Sequence, residues 1–187
     1  GASEGNETSI TGGDLTININ KDNADQQMYS AAGITLYNGS KMEMTGALNI
    51  HAEATEGVDG ILTEDFYDYD DHVNSLQAKT LNIYGKATDG SASGLYLMSN
   101  KSAVTVSDST KIEILGEYNA YGINIDSTGV TGSFGDTEIT ITSNTANNTD
   151  ILGVRQWGSA TEYGDLTIAA RSVGADITSI ELNGHDD

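Results

Sequence analysis

The amino-acid sequence predicts an all-β chain folded as a parallel β-helix (β-solenoid), with about six coils of 27–33 residues and three short strands per coil. Two strand patterns support this prediction, because both return along most of the chain at that interval. Turns rich in Gly, Asn, Ser, Thr and Asp separate the copies. Self-similarity at such a period indicates a solenoid, in which each coil packs on the next one.

The first pattern, Leu-x-Ile, alternates apolar and polar residues and therefore predicts a strand with one buried face. Its copies are Leu15-Thr16-Ile17, Leu48-Asn49-Ile50, Leu81-Asn82-Ile83, Ile112-Glu113-Ile114, Ile139-Thr140-Ile141 and Leu166-Thr167-Ile168. The middle residues of these copies are expected to form an outward ladder of polar side chains. The inward residues are expected to form one continuous interior stack of Ile50, Ile83, Ile114, Ile141 and Ile168.

The second pattern is a strand that opens with glycine. Its copies are Gly33-Ile34-Thr35-Leu36, Gly60-Ile61-Leu62, Gly94-Leu95-Tyr96-Leu97, Gly122-Ile123-Asn124-Ile125, Gly153-Val154-Arg155 and, without the glycine, Ile180-Glu181-Leu182. We expect Arg155 and Glu181 to pair across neighbouring coils, because they occupy the same outward position. Tyr96 and Arg155 are candidate binding residues of this outward row.

A third strand in each coil is indicated more weakly. The clearest copies are Met42/Met44 and Val104/Val106, whereas Val130 and Phe134 only suggest one. Three strands per coil give a triangular section, with each strand about 4.8 Å from its equivalent in the next coil. A β-sandwich is the main alternative, since its frequent turn signals also occur here. A sandwich does not explain why like strands recur at every third strand.

The composition limits the classes of partner and site. The 187 residues include no cysteine and no proline but 22 glycines, which excludes disulfides and thiolate metal sites. The net charge of −20 disfavours nucleic acid, because binding it would add repulsion. No apolar run approaches the roughly 20 residues of a membrane span, so no direct insertion is expected. We interpret residues 1–187 as a single β-helix segment cut from a longer solenoid, since neither end shows a cap.

The largest departure from the repeat is the stretch 63–75, which predicts a protruding acidic and aromatic loop. Insertions in solenoids become loops on one face, often the binding face. Tyrosine gives contact area at low entropy cost and carboxylates select Lys or Arg, which indicates a protein partner. The alternative is a solvated acidic loop without a ligand. The candidate binding residues of the loop are Asp65, Phe66, Tyr67, Asp68, Tyr69, Asp70 and Asp71.

The sequence predicts no catalytic and no metal-binding residues. A glycosidase would need two carboxylates fixed on strands, whereas the acids lie mainly in turns and in the loop. The histidines are far apart in sequence, and no nucleotide-binding motif is present. No cofactor is therefore expected. Ca²⁺ in the acidic loop stays open as an alternative, although the loop lacks the glycine and distal glutamate of an EF-hand.

The coils, for example TLNIYGKATDGSASGLYLMSNKSAVTV and TKIEILGEYNAYGINIDSTGV, resemble the passenger domains of bacterial autotransporters over residues 15–182. The resemblance lies in the polar turns, the lack of cysteine, the acidity and the degenerate repeats, and it includes no diagnostic motif. It implies a right-handed helix and a non-enzymatic adhesin at the extracellular bacterial cell surface. The implied partner is a host extracellular protein, a glycan or a second copy of the chain. A polysaccharide-acting enzyme or tailspike-like carbohydrate-binding domain is the alternative, since these share the fold.

Overall fold

A computed structural model describes residues 8–21, 30–65, 72–99, 101–144 and 150–184. The secondary structure of these residues consists of sixteen β-strands and includes no helix. In chain order the strands are β1 (Ser9–Gly12), β2 (Leu15–Lys21), β3 (Ser30–Tyr37), β4 (Lys41–Met44), β5 (Ala47–Ala54), β6 (Gly57–Glu64), β7 (Asn74–Ala87), β8 (Ser91–Leu97), β9 (Ser102–Leu115), β10 (Ala120–Ile125), β11 (Val130–Ser133), β12 (Asp136–Ser143), β13 (Ile151–Trp157), β14 (Ala160–Glu162), β15 (Leu166–Ser172) and β16 (Ile177–Asn183).

The strands stack into three faces of a parallel β-helix. The first face has the order β1-β4-β7-β9-β11-β14, the second β2-β5-β7-β9-β12-β15 and the third β3-β6-β8-β10-β13-β16. The long strands β7 and β9 pass through the corner between the first two faces and belong to both. Six strands on each face are joined by five parallel pairings, so the chain makes about five full turns. The prediction of a parallel β-helix is confirmed.

The core is a narrow column of aliphatic side chains inside the coils. Buried and accessible residues alternate along strands such as β5, where Leu48, Ile50, Ala52 and Ala54 are buried. Full burial of one Leu or Ile side chain contributes about 1.5–3 kcal/mol. Because each inward residue packs on its equivalents in the neighbouring coils, this stabilisation is distributed along the whole stack.

The register of the second face differs from the prediction by two residues in two coils. Ile83 pairs with Ile112 and not with Ile114, and Ile168 pairs with Ile139 and not with Ile141. The observed interior stack is therefore Ile50, Ile83, Ile112, Ile139 and Ile168. Successive coils are offset by 33, 33, 29, 27 and 29 residues. The outward ladder shifts in the same way, so that Asn82 pairs with Lys111 and not with Glu113.

Buried threonines explain this error. Thr110 and Thr137 occupy the inward position that leucine holds in the other coils, since they pair with Leu81 and Leu166. Both are buried, and the Thr110 hydroxyl donates a hydrogen bond of 2.7 Å to the carbonyl oxygen of Phe134. Alternation has a period of two, so a slip of two residues leaves the pattern intact and hides the mistake.

The weakly indicated third strand exists, but it ends before Phe134. Val130 begins β11, which stops at Ser133, and Phe134 lies in the following turn. Phe134 is fully buried and its ring stacks on that of Tyr163, with 5.3 Å between centroids. Phe134 therefore packs into the corner between the first and second faces.

Candidate ligand-binding groove

The strands of the third face bend at a central glycine. In each pairing the glycine is skipped, and the residue after it faces the core as well. A Cβ atom on Gly94 would lie 2.5 Å from the carbonyl oxygen of Gly122 and 2.5 Å from Cγ2 of Ile112 across the core. Gly60 and Gly122 have the same surroundings. The backbone can approach the core this closely only without a side chain, so the outer surface is recessed along this column of glycines.

Two rows of outward residues flank the glycine column, and together they form what we call the third-face groove. The row before the glycines contains Asp59, Ser93, Tyr121 and Leu152. The row after the glycines contains Leu62, Tyr96, Asn124, Arg155 and Glu181.

Residues of the groove are buried although they point away from the core. Asn124 is only 3% exposed, and Ser93 and Leu152 are buried as well. The remaining members of both rows are half-buried. Because neither row belongs to the interior column, this burial indicates that the outer surface is concave at these positions.

Aromatic side chains concentrate around the centre of the groove. Burial raises the pKa of Tyr96, and the nearby carboxylate of Asp126 raises it further. The pKa of Tyr121 is also raised, first by burial and then by Asp150. Arg155 acts on the pKa of both tyrosines in the opposite direction, and the strand register places it one coil from Tyr121 and two coils from Tyr96.

Two polar atoms at the centre of the groove lack a hydrogen-bond partner among the described residues. They are Asn124 Oδ1 and Arg155 Nε, and both are buried. Asn124 and Arg155 are direct neighbours in the pairing of β10 with β13. Arg155 Nε lies 4.0 Å from Glu181 Oε2, which confirms the predicted ion pair but is too long for a hydrogen bond. The Arg155 guanidinium carbon also lies 5.5 Å from the centroid of the Trp157 ring.

Asp59 lies at one end of the groove. Burial raises the pKa of its carboxyl to about 6, and a hydrogen bond from Ser93 opposes this shift. Burial is costly for a charged carboxylate, so Asp59 gains its proton at a higher pH than an exposed aspartate does.

The predicted loop 63–75 is shorter at both ends, because β6 extends to Glu64 and β7 begins at Asn74. The candidate residues Phe66, Tyr67, Asp68, Tyr69, Asp70 and Asp71 lie outside the described residues.

Asp65 is described, and it has partners within the chain. Its carboxylate accepts hydrogen bonds from Asn74 Nδ2, at 3.0 Å, and from the hydroxyl of Ser99. Asn74 is buried, and its Oδ1 accepts from the backbone N–H groups of Gly39, at 2.9 Å, and Ser40, at 3.1 Å. Asp65 and Asn74 therefore hold together the two chain segments that enter and leave 66–71.

On the outer side of the second face, several polar side chains pair with one another across neighbouring coils. Asn82 donates to Asn49 at 2.9 Å, which continues the predicted ladder of polar side chains. His51 stacks on Tyr84 with 4.5 Å between centroids. Its Nε2 also lies 2.9 Å from Glu53, and hydrogen bonds from His51 and then Lys86 lower the pKa of Glu53. A shallow depression of about 200 Å³ lies over these residues.

The structure places two of the predicted site residues, Tyr96 and Arg155, in one row of the groove on either side of Asn124. The repeat pattern identifies Asn124 as a member of the same strand position, but it does not indicate Asp59 or Tyr121. The sequence contains one signal for the second row of the groove, which is the residue before each glycine. Because the glycine and the residue after it both face the core, the residue before the glycine faces outward, on the same side of the strand as the row after the glycine. Within the described residues, no three His, Asp or Glu side chains are grouped so that they could hold a metal ion.

The comparisons with known proteins match the chain to no family model, to no curated protein and to no solved structure. In the part of the chain that the structure describes, no helix reaches the length and hydropathy of a membrane span.

Proposed function

We propose that the protein is a non-enzymatic binding module of a bacterial cell-surface adhesin, and that it holds its ligand in the third-face groove. The observation that supports this proposal best is the pair Asn124 and Arg155, whose buried Oδ1 and Nε atoms have no hydrogen-bond partner in the described chain, although Glu181 faces Nε at 4.0 Å. A buried polar group without a partner costs about 1–3 kcal/mol, so a purely structural role would favour an apolar pair at these positions.

The composition of the groove also supports binding. Tyr, Trp and Arg are the side chains that most often dominate recognition surfaces. Here Trp157 lies 5.5 Å from Arg155, with Tyr121 on the neighbouring coil and Tyr96 one coil further. The groove is built on paired strands, which position side chains more rigidly than a loop does.

The test compares two cations that are matched in geometry. Arg155 and Lys111 each lie 4.0 Å from a glutamate of the next coil, Arg155 in the groove and Lys111 on the second face. We expect Arg155→Ala to reduce adhesion to cells and immobilised matrix proteins at least tenfold, and Lys111→Ala to leave it unchanged. Equal losses in both variants would show a dependence on net charge alone and would contradict the proposal.

A second variant separates the groove from the acidic loop. Residues 66–71 are replaced by a Gly-Ser linker while Asp65 and Asn74 are kept, because these two residues bond the flanking segments. If the groove carries binding, adhesion survives this replacement and the melting temperature changes little. Loss of adhesion with unchanged melting would instead assign binding to the loop.

A polysaccharide-acting enzyme is the second candidate, and Asp59 favours it. A general acid must hold a proton at the working pH, and burial raises the pKa of the Asp59 carboxyl to about 6, so a fraction of it stays protonated close to neutral pH. The assay measures new reducing ends after incubation with neutral and acidic polysaccharides. Release by the parent protein and not by Asp59→Asn would establish the enzyme and overturn the binding module.

A further inference from the structure

We infer that the ligand of the third-face groove is a neutral glycan chain whose hydroxyl groups bridge Asn124 and Arg155. This inference rests on the proposed function and adds the chemical class of the ligand. It is argued from the two unpartnered atoms, from the aromatic side chains around them and from the charges of the groove.

The two unpartnered atoms require opposite partners. Asn124 Oδ1 is an acceptor and needs a donor, whereas Arg155 Nε is a donor and needs an acceptor. Their strands are neighbours, so the two side chains arise about 4.8 Å apart along the axis. A hydroxyl group both donates and accepts, and adjacent hydroxyls on one sugar ring lie within that reach. A carboxylate or an ammonium group would satisfy only one of the two atoms.

The aromatic side chains provide the apolar part of such a site. Tyr96 and Tyr121 are half-buried near Arg155, and Trp157 is 43% exposed beside it. A sugar ring has C–H groups on one side and hydroxyls at its edge. It can therefore pack on an aromatic ring while its edge reaches Asn124 and Arg155.

Charge argues against an acidic ligand. Asp59, Asp126, Asp150 and Glu181 act on the tyrosines of the groove and would repel an acidic glycan. The same carboxylates would attract a cationic peptide, but its ammonium and guanidinium groups only donate hydrogen bonds, so they would leave Arg155 Nε without an acceptor. A neutral ligand with hydroxyl groups can bond both unpartnered atoms without charge repulsion.

The experiment uses Trp157, because it is the single tryptophan of the chain and its fluorescence reports on the groove. The 187-residue protein is titrated with neutral hexasaccharides of glucose, galactose or mannose. A galacturonate hexasaccharide serves as the acidic counterpart, and a Lys-rich hexapeptide serves as the cationic one. We expect saturable binding of at least one neutral oligosaccharide, at least tenfold tighter than either charged probe.

Three variants test the roles of the two atoms. Asn124→Ala should weaken binding of the neutral oligosaccharide at least tenfold without lowering the melting temperature, since it removes a polar atom that has no partner. Arg155→Lys keeps the charge but loses the planar donor Nε, so it should weaken binding about as much. Lys111→Ala on the second face should bind like the parent.

The possible failures are distinguishable. Preference for the galacturonate or the peptide, unchanged binding by Asn124→Ala, or no binding of any probe would each overturn the neutral glycan. If Arg155→Ala still abolishes cell adhesion in that case, the groove remains the binding site for another ligand. If Arg155→Ala has no effect on adhesion either, the proposed function falls as well.

Discussion

The second and third faces are built from the same repeat, yet their outer surfaces differ. The outward residues of the second face, such as Lys111 and Glu138, have side chains 57% and 58% exposed. The equivalent pair on the third face, Arg155 and Glu181, has side chains 26% and 39% exposed. Another second-face pair, Lys86 and Glu53, is also only 36% and 27% exposed, but its burial accompanies a direct ion pair of 3.2 Å on straight strands. A strand that bends inward at a glycine brings its outer side chains together without such a contact. Low exposure on the outside of a solenoid can therefore arise from side-chain pairing or from backbone shape, and only the second leaves polar groups free for a ligand.

The largest expected effect comes from adding one methyl group at the bend. Gly94→Ala places its Cβ 2.5 Å from the Gly122 carbonyl oxygen and 2.5 Å from Cγ2 of Ile112. The carbonyl belongs to the backbone of a paired strand, so it can move away only by disturbing the strand pairing. We expect a loss of about 3 kcal/mol in the free energy of unfolding, near the upper end for overpacked cores. Denaturant titration measures this loss.

The control is an inward glycine of the second face. A Cβ on Gly85 would first meet flexible side-chain ends, at 3.0 Å for Ile114 and 3.2 Å for Val58. Gly85→Ala should therefore change stability by less than about 1 kcal/mol, partly because alanine suits a strand better than glycine. Equal effects at the two positions would mean that the bend does not depend on its glycine.

An intermediate effect is expected at Asp59. Its pKa is raised to about 6 in the folded chain, so the folded state binds its proton more tightly than the unfolded state does. Stability is therefore lost as pH rises from about 4 to 6, and the penalty persists above that range. Asp59→Asn should stabilise the protein by about 1–3 kcal/mol at pH 7.5 and by almost nothing at pH 4.

Thermal melts at both pH values measure this difference. Glu113→Gln on the exposed second face removes the same charge, so it corrects for the general relief of repulsion in a chain of net charge −20. A gain of equal size in Glu113→Gln would assign the effect to net charge and not to burial in the groove.

The smallest effect concerns the two matched ion pairs. Double-mutant cycles should give a coupling of up to about 1 kcal/mol for Arg155 with Glu181, and only a few tenths for Lys111 with Glu138. Both pairs are 4.0 Å long, so the difference reports the lower exposure of the groove. If added salt lowers both coupling energies equally, the ion pair in the groove is as accessible to screening by salt as the pair on the second face.

Much of the fold was predictable because solenoid coils repeat both residue type and spacing. The Leu-x-Ile and glycine-led strands identify the second and third faces, and the parallel stacking follows from their period. The register was not predictable where Thr110 and Thr137 replace leucine, since threonine suits either side of a strand and only tertiary hydrogen bonding decided the matter.

The candidate site was predictable only in part, for a related reason. Tyr96 and Arg155 share a row and could be recognised from the repeat. The opposite row, with Asp59 and Tyr121, joins them only through the bend, and alternation alone assigns no shape to a strand. Asp65 was predicted to bind a partner, and its hydrogen bonds to Asn74 and Ser99 depend on long-range contacts that no local pattern contains.

The glycine column also has a consequence for how such a chain can change over generations. Positions that hold the scaffold and positions that line the groove alternate along the same short strand. Drift at Gly94 would be removed by selection on folding, whereas drift at Ser93 or Tyr96 would alter only the lining. Duplicating one coil would lengthen the groove by one row of side chains, about 4.8 Å, without a new fold. We therefore expect descendants of this gene to bind different ligands through substitutions in the residues that line the groove and through changes in the number of coils. The glycines of the bend are expected to stay unchanged.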